Sequence, residues 1–218
     1  SPISPKAFDV TFADRYSIGI INSEKYLEGP ADETRRCIEG FYNDTYLMDQ
    51  NACSTPHLIF WEGNKDDNER AKKEFWKAVA SIATKYSLED MKVSEKYTML
   101  CNYMIDLEEI DSINKYDNVL YVVHMNKLPE DITALRGKYG MFFDYDIEAI
   151  HQIGAYISPK FQTLAYYGID KCRLEDFIFE YSIDGIDRIV PFGKTLDIGV
   201  YWDGYDLISK YSRIITIE

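Results

Sequence analysis

Apolar residues along this chain follow two rhythms. Nearly continuous apolar runs fall at residues 8–12, 16–21, 58–61, 118–125, 141–143, 161–167 and 188–191. Short runs rich in β-branched and aromatic residues predict strands, and 118–125 (Asn-Val-Leu-Tyr-Val-Val-His-Met) is the clearest buried one. Elsewhere apolar residues return every three or four positions. Phe75, Val79, Ile82 and Tyr86 do so within 65–86, opposite a face rich in Lys and Glu, which predicts an amphipathic helix. Helices are also predicted over 31–43, 95–110, 147–156 and 174–181. Asp32 and Glu33 stand near the start of the first, as the helix dipole prefers, and Ser158-Pro159 closes the helix of 147–156. The tail ends in Ser-Arg-Ile-Ile-Thr-Ile, which reads as an exposed terminal strand. Strands alternating with helices predict an α/β fold with a mostly parallel sheet flanked by helices.

Within that frame, residues 49–63 draw attention to chemistry. Cys53 lies in a polar run of small residues, with Pro56 three places on and the apolar run at 58–61 beyond it. The order is helix, short turn, cysteine, turn, strand. A cysteine on such a turn presents its sulfur to solvent near backbone N–H groups, the geometry that both a thiolate nucleophile and an oxyanion need. Most free cysteines simply pack. Cys37 and Cys101, in helical or apolar surroundings, read as packing residues, and Cys172, between Lys171 and Arg173, as a solvated surface position.

Composition narrows the choice. The 218 residues are 46% hydrophobic and 28% charged, with 18 Tyr, 11 Phe and 3 Trp as core and interface mass. A net charge of −13 leaves no basic face for nucleic acid. The four cysteines and three histidines show neither disulfide nor zinc spacing, so no metal is expected. No apolar run approaches the ~20 residues of a membrane span and no signal peptide is evident, so a reducing cytoplasm is the expected setting. Neither GxGxxG nor GxxxxGK occurs, and Gly199 and Gly204 are too far apart to cradle a pyrophosphate. Most of any dinucleotide-binding domain is therefore expected outside this chain, which starts at Ser1 and reads as a piece of something longer.

Ala31-Asp32 opening a helix, Gln50-Asn51-Ala52-Cys53 in the turn, and the strands on either side resemble the catalytic domain of the aldehyde dehydrogenase superfamily. The closer resemblance is to the LuxC-type acyl-CoA reductases. It rests also on Gln162-Thr163-Leu164-Ala165-Tyr166-Tyr167-Gly168, on Gly185-Ile186-Asp187-Arg188-Ile189-Val190-Pro191-Phe192-Gly193 and on Trp202-Asp203-Gly204-Tyr205-Asp206-Leu207-Ile208. This resemblance implies an aldehyde-dehydrogenase-like catalytic domain over 1–200, a tail with an oligomerisation strand over 201–218, and an N-terminal nucleotide-binding half outside the chain.

It further implies NADPH-dependent reduction of a fatty acyl-CoA or acyl-protein thioester to the aldehyde, through an acyl-cysteine on Cys53. The implied partners are the fatty acyl-CoA, an acyl-protein synthetase and further copies of the chain. Thr11 falls where hydrolytic relatives carry a glutamate base, so Thr11 would border the substrate pocket and spare the acyl-cysteine from water; Asp14 is its rival for that position. His57 reads as structural or surface, and Arg188, Lys160 and Lys194 as solvated cations rather than phosphate ligands. Two alternatives stand beside the reductase: acyl transfer through the same cysteine, and a non-catalytic oligomerisation module. On the reductase reading, the chain alone is expected to be incapable of turnover.

Overall fold

The computed structural model describes residues 7, 9, 10, 12–181 and 183–217. In chain order these form β1 (Tyr16–Asn22), α1 (Ser23–Glu28), α2 (Ala31–Tyr46), β2 (Pro56–Glu62), α3 (Lys65–Ala83), α4 (Asp90–Asp106), β3 (Ile110–Tyr116) and β4 (Leu120–Met125). Then come β5 (Met141–Ile147), β6 (Phe161–Tyr167), α5 (Lys171–Glu180), β7 (Arg188–Pro191), the small hairpin β8 (Tyr201–Trp202) and β9 (Tyr205–Asp206), and α6 (Leu207–Tyr211). One sheet runs in the order β3-β4-β5-β2-β1-β6-β7, with all neighbours parallel except β3 on β4. The expected α/β architecture is the observed one.

Strand composition explains the layering. Every residue of β2 is buried, because helices or loops cover both of its faces. On one face Tyr16, Ile18, Leu58, Phe60, Val123, Phe143 and Leu164 form one core; on the other Ile21, Ile59, Trp61, Val122 and Phe142 meet Phe41 of α2 and Phe75, Trp76 and Val79 of α3. Gly19 is required at that second face, since a Cβ there would come within 2.8 Å of both Ile59 and the Phe192 ring. Asn64 starts α3 by accepting the Asp67 N–H at 3.0 Å. Among the described residues no helix is long and apolar enough to cross a membrane.

Three expectations need correction. The helix predicted to reach 110 ends at Asp106, and Ile110–Tyr116 pairs with β4 as an edge strand. Its sequence (Ile-Asp-Ser-Ile-Asn-Lys-Tyr) is polar because most of it stays exposed, so apolar patterning conceals it. The helix predicted over 147–156 is replaced by the last residue of β5 and a 3-10 helix at Ile150–Tyr156, where the Gln152 carboxamide accepts the Glu148 and Ala149 N–H groups. In the single chain residues 212–217 carry no regular structure, and Ile214 and Ile217 are each 92% exposed. Of the strand predicted over 8–12, residues 9, 10 and 12 are not strand, while Phe8 and Thr11 lie outside the described residues.

One buried charge makes the fold pH-sensitive. Lys96 of α4 is fully buried; its Nζ donates to the carbonyls of Asn118 (2.5 Å) and Tyr139 (2.7 Å) and lies 4.5 Å from the Tyr121 ring centre. Burial, and then the nearby Lys115, press its pKa down to about 7 from the ordinary 10.5. Between those values the unfolded chain binds the extra proton, so stability rises with pH across that window. Urea unfolding of the parent at pH 7 and pH 9.5 is expected to show that rise, and Lys96→Met to abolish it. An equal rise in the variant would assign the effect to other groups.

Candidate active site

The amino ends of the parallel strands form one rim of the sheet, and the loop from α2 to β2 crosses it. Tyr46 ends α2; Asp49 and Gln50 then take left-handed backbone angles (φ 54° and 60°), turning the chain back towards the sheet. Each part of the loop has its own anchor. Gln50, 2% exposed, accepts the Gly140 and Met141 N–H groups through Oε1 (2.6 and 3.1 Å) and donates from Nε2 to the Met141 carbonyl (2.9 Å). Asp49 accepts from the Tyr86 hydroxyl and from Lys92 Nζ at 3.1 Å. The Thr55 N–H donates to Ala52 O at 3.0 Å, and the Thr55 hydroxyl to Asp44 O at 2.8 Å. Ser17 of β1 donates its hydroxyl to the Cys53 carbonyl at 2.6 Å.

On this tethered loop Cys53 is exposed, whereas Ser54, Thr55 and Pro56 directly after it are buried. Its backbone N–H has no partner among the described residues. The other cysteines differ. Cys37 is buried in α2, where burial, and then Asp44, push its thiol well up and keep it neutral. Cys101 is half-buried in α4, and Cys172 is exposed on α5, which follows the carboxyl end of β6 at the opposite rim.

The remaining sequence candidates resolve differently. Thr11 lies outside the described residues. The Asp14 carboxylate is engaged by both Nη atoms of Arg136 (3.0 and 3.1 Å), which leaves it a poor candidate for a free base. His57, 6% exposed, stacks on Tyr16 with ring centres 5.7 Å apart. Burial, then Arg136, lower its pKa to about 4, so it is neutral and structural at pH 7. Lys160 donates to the Thr133 hydroxyl at 2.8 Å. Arg188 donates to the Thr195, Lys194 and Asp197 carbonyls and covers the Trp202 ring at 4.5 Å, while Lys194 pairs with Asp197 at 3.0 Å. These are fastenings within the chain.

Two features of this rim are absent from the sequence reading: the Ser17 tether and a staple made by Arg15. The Arg15 guanidinium binds Asp203 of the β8–β9 hairpin at 2.7 Å, Asp187 at 2.5 Å, and the Phe161 and Gly185 carbonyls. Both join residues far apart in the chain, for which local patterning carries no signal.

Two of the helix starts in the sheet layers, those of α1 and α3, are closed to a cofactor phosphate. Asn22 and Asn64 occupy the N-termini of α1 and α3 with their own side chains, and Glu62 or Asp66 and Asp67 put negative charge beside them. Neither GxGxxG nor GxxxxGK occurs in the sequence. No group of His, Cys, Asp and Glu suited to a metal ion occurs among the described residues.

The sequence matches no protein-family model and no curated protein. Solved structures do match in fold. A mutant of Thermus thermophilus 1-pyrroline-5-carboxylate dehydrogenase superposes with TM-score 0.54 at 12% identity, over 85% of this chain and 37% of its own. Burkholderia pseudomallei succinate-semialdehyde dehydrogenase gives 0.51 at 11% identity, over 82% and 39%. The Mycobacterium tuberculosis Δ-pyrroline-5-carboxylate dehydrogenase gives 0.50 at 13%, over 81% and 35%. The fold is therefore aldehyde-dehydrogenase-like. The chain spans well under half the length of these neighbours.

Proposed function

We propose that this chain is the thiol-bearing part of an acyl-thioester reductase, in which Cys53 takes the acyl group of a fatty acyl-CoA or acyl-protein. The observation that carries the reading is the Cys53 loop itself: an exposed thiol and an unpartnered N–H on a segment fastened at both sides, within an aldehyde-dehydrogenase-like fold. The Cys53 sulfur, as thiolate, attacks the thioester carbonyl carbon. The backbone N–H of Cys53 donates to the developing oxyanion. As the tetrahedral adduct collapses, the bond to the CoA sulfur breaks. The thiol proton of Cys53 passes through solvent to the CoA thiolate, leaving acyl-Cys53 and free CoA.

Reduction of that acyl group to the aldehyde requires a hydride, which NADPH bound outside these residues would supply. Pairing with Arg136 makes Asp14 a poor base for activating water, which favours a long-lived acyl-cysteine. Transfer of the acyl group to another acceptor uses the same first step, and the exposed Ile214, Ile215 and Ile217 favour assembly with further copies of the chain.

Alkylation tests the acylation step. Saturation with palmitoyl-CoA is expected to protect Cys53 from iodoacetamide, while Cys172, also exposed but at the other rim, remains reactive. Cys53 labelled as fast as before, or both cysteines protected alike, would contradict the reading.

A further inference from the structure

Strand β1 breaks register on both sides at one point. Towards β2, Ser17 pairs with Pro56 and Ile18 with Leu58, so His57 is an extra residue. Towards β6, Tyr16 pairs with Phe161 and Ile18 with Leu164, so Gln162 and Thr163 face Ser17 alone. Register breaks of this kind bend a strand, leave a backbone group unpaired and re-aim what lies beside it.

Ser17 repairs the break with its side chain. It is fully buried, and its Oγ accepts the Thr163 N–H at 3.1 Å, a group that a regular ladder would bond to backbone. The hydroxyl has a single hydrogen, and that hydrogen goes to the Cys53 carbonyl at 2.6 Å. A two-sided irregularity is thus resolved by one side chain whose remaining bond ends on the cysteine. Holding that carbonyl holds the peptide plane after Cys53, and so anchors one side of the backbone from which the thiol and the Cys53 N–H project.

We infer that Ser17 is a positioning residue for Cys53: it holds the thiol and its N–H in register for attack on a thioester carbonyl. The inference rests on the acylation reading above. Two reactions of one sulfur separate it from a structural role. Attack on a thioester needs carbonyl, thiol and N–H aligned together, whereas alkylation by iodoacetamide needs an accessible thiolate and little else.

The experiment measures both rates at Cys53 by peptide mass, with palmitoyl-CoA and with iodoacetamide. Ser17→Ala is expected to slow acylation about 10- to 100-fold while alkylation stays within about threefold of the parent. Ser17→Thr, which keeps the hydroxyl, recovers most of the acylation rate. If the alanine variant does not fold, Ser17→Cys, a near-isostere with a weak S–H donor, takes its place with the same expected split. Acylation at the parental rate, or an equal fall in both reactions, overturns the inference and leaves the function standing. A parent chain that takes no acyl group at Cys53 overturns the acylation reading, and this inference with it.

Discussion

Gln50→Ala is expected to destabilise the chain by about 2–4 kcal/mol, since each buried polar group left without a partner costs about 1–3 kcal/mol. Among the described residues, Gln50 alone ties the loop by hydrogen bonds to the start of β5. Its removal leaves the Gly140 N–H without an acceptor and the Met141 carbonyl without this donor, while the Met141 N–H keeps the Lys138 carbonyl at 3.1 Å. Gly140 cannot relax easily, because it sits at φ +85° with the Val119 carbonyl only 2.2 Å from where a Cβ would stand. The damage should also reach chemistry, because Gln50 pins the turn three residues before Cys53. Urea unfolding measures the first effect, and the iodoacetamide rate at Cys53 the second. A loss below about 0.5 kcal/mol, the size of an ordinary surface substitution, would show that Gln50 is not a keystone.

Glu62→Ala should cost about 2–3 kcal/mol at the opposite rim, and its effect should depend on pH. Glu62 ends β2 with 2% exposure and accepts from Arg173 (2.6 and 3.1 Å), Asn22 (2.8 Å) and the Ile150 N–H (2.8 Å). The Arg173 side chain is 42% exposed, so solvent screens the ion pair and the hydrogen bonds carry most of the effect. Burial works to raise the Glu62 pKa, but Arg173, Asn22 and the Ile150 N–H outweigh it and hold the carboxyl below its ordinary 4.5. Folding therefore favours the ionised form. The stabilisation is present above pH 4.5 and lost as pH falls through the lower, folded value.

Asp44 works in the opposite sense. Burial raises its pKa to about 6 despite the N–H groups of Gly193 and Thr195, so it lowers stability as pH rises from 3.8 to 6. Subtracting Glu62→Gln from the parent isolates the Glu62 part. The gap between the two should shrink steadily below pH 4.5, and a constant gap would contradict the assigned pKa.

Local elements were legible in the sequence, and long-range fastenings were not. Strands β6 and β7 occupy 161–167 and 188–191, matching the apolar runs residue for residue. Edge strand β3 escaped because only Ile110, Ile113 and Tyr116 are even half-buried, and the short α1 because six residues hold too little periodicity. Cys53 was legible because its evidence is local: small polar neighbours, a turn and a strand. Its fastenings were not. Ser17 reaches it across 36 positions and Gln50 reaches Gly140 across 90, distances at which no pattern of spacing speaks. The tail at 212–217 is β-prone in composition, and such a segment becomes a strand where another strand pairs with it.

The intact mass of the chain after incubation with palmitoyl-CoA tests the central claim most directly. The parent should gain the mass of one palmitoyl group, removable by hydroxylamine as a thioester is, and Cys53→Ala should gain none. No adduct on the parent, or an adduct that persists in Cys53→Ala, would contradict the assignment of Cys53 as the acyl acceptor.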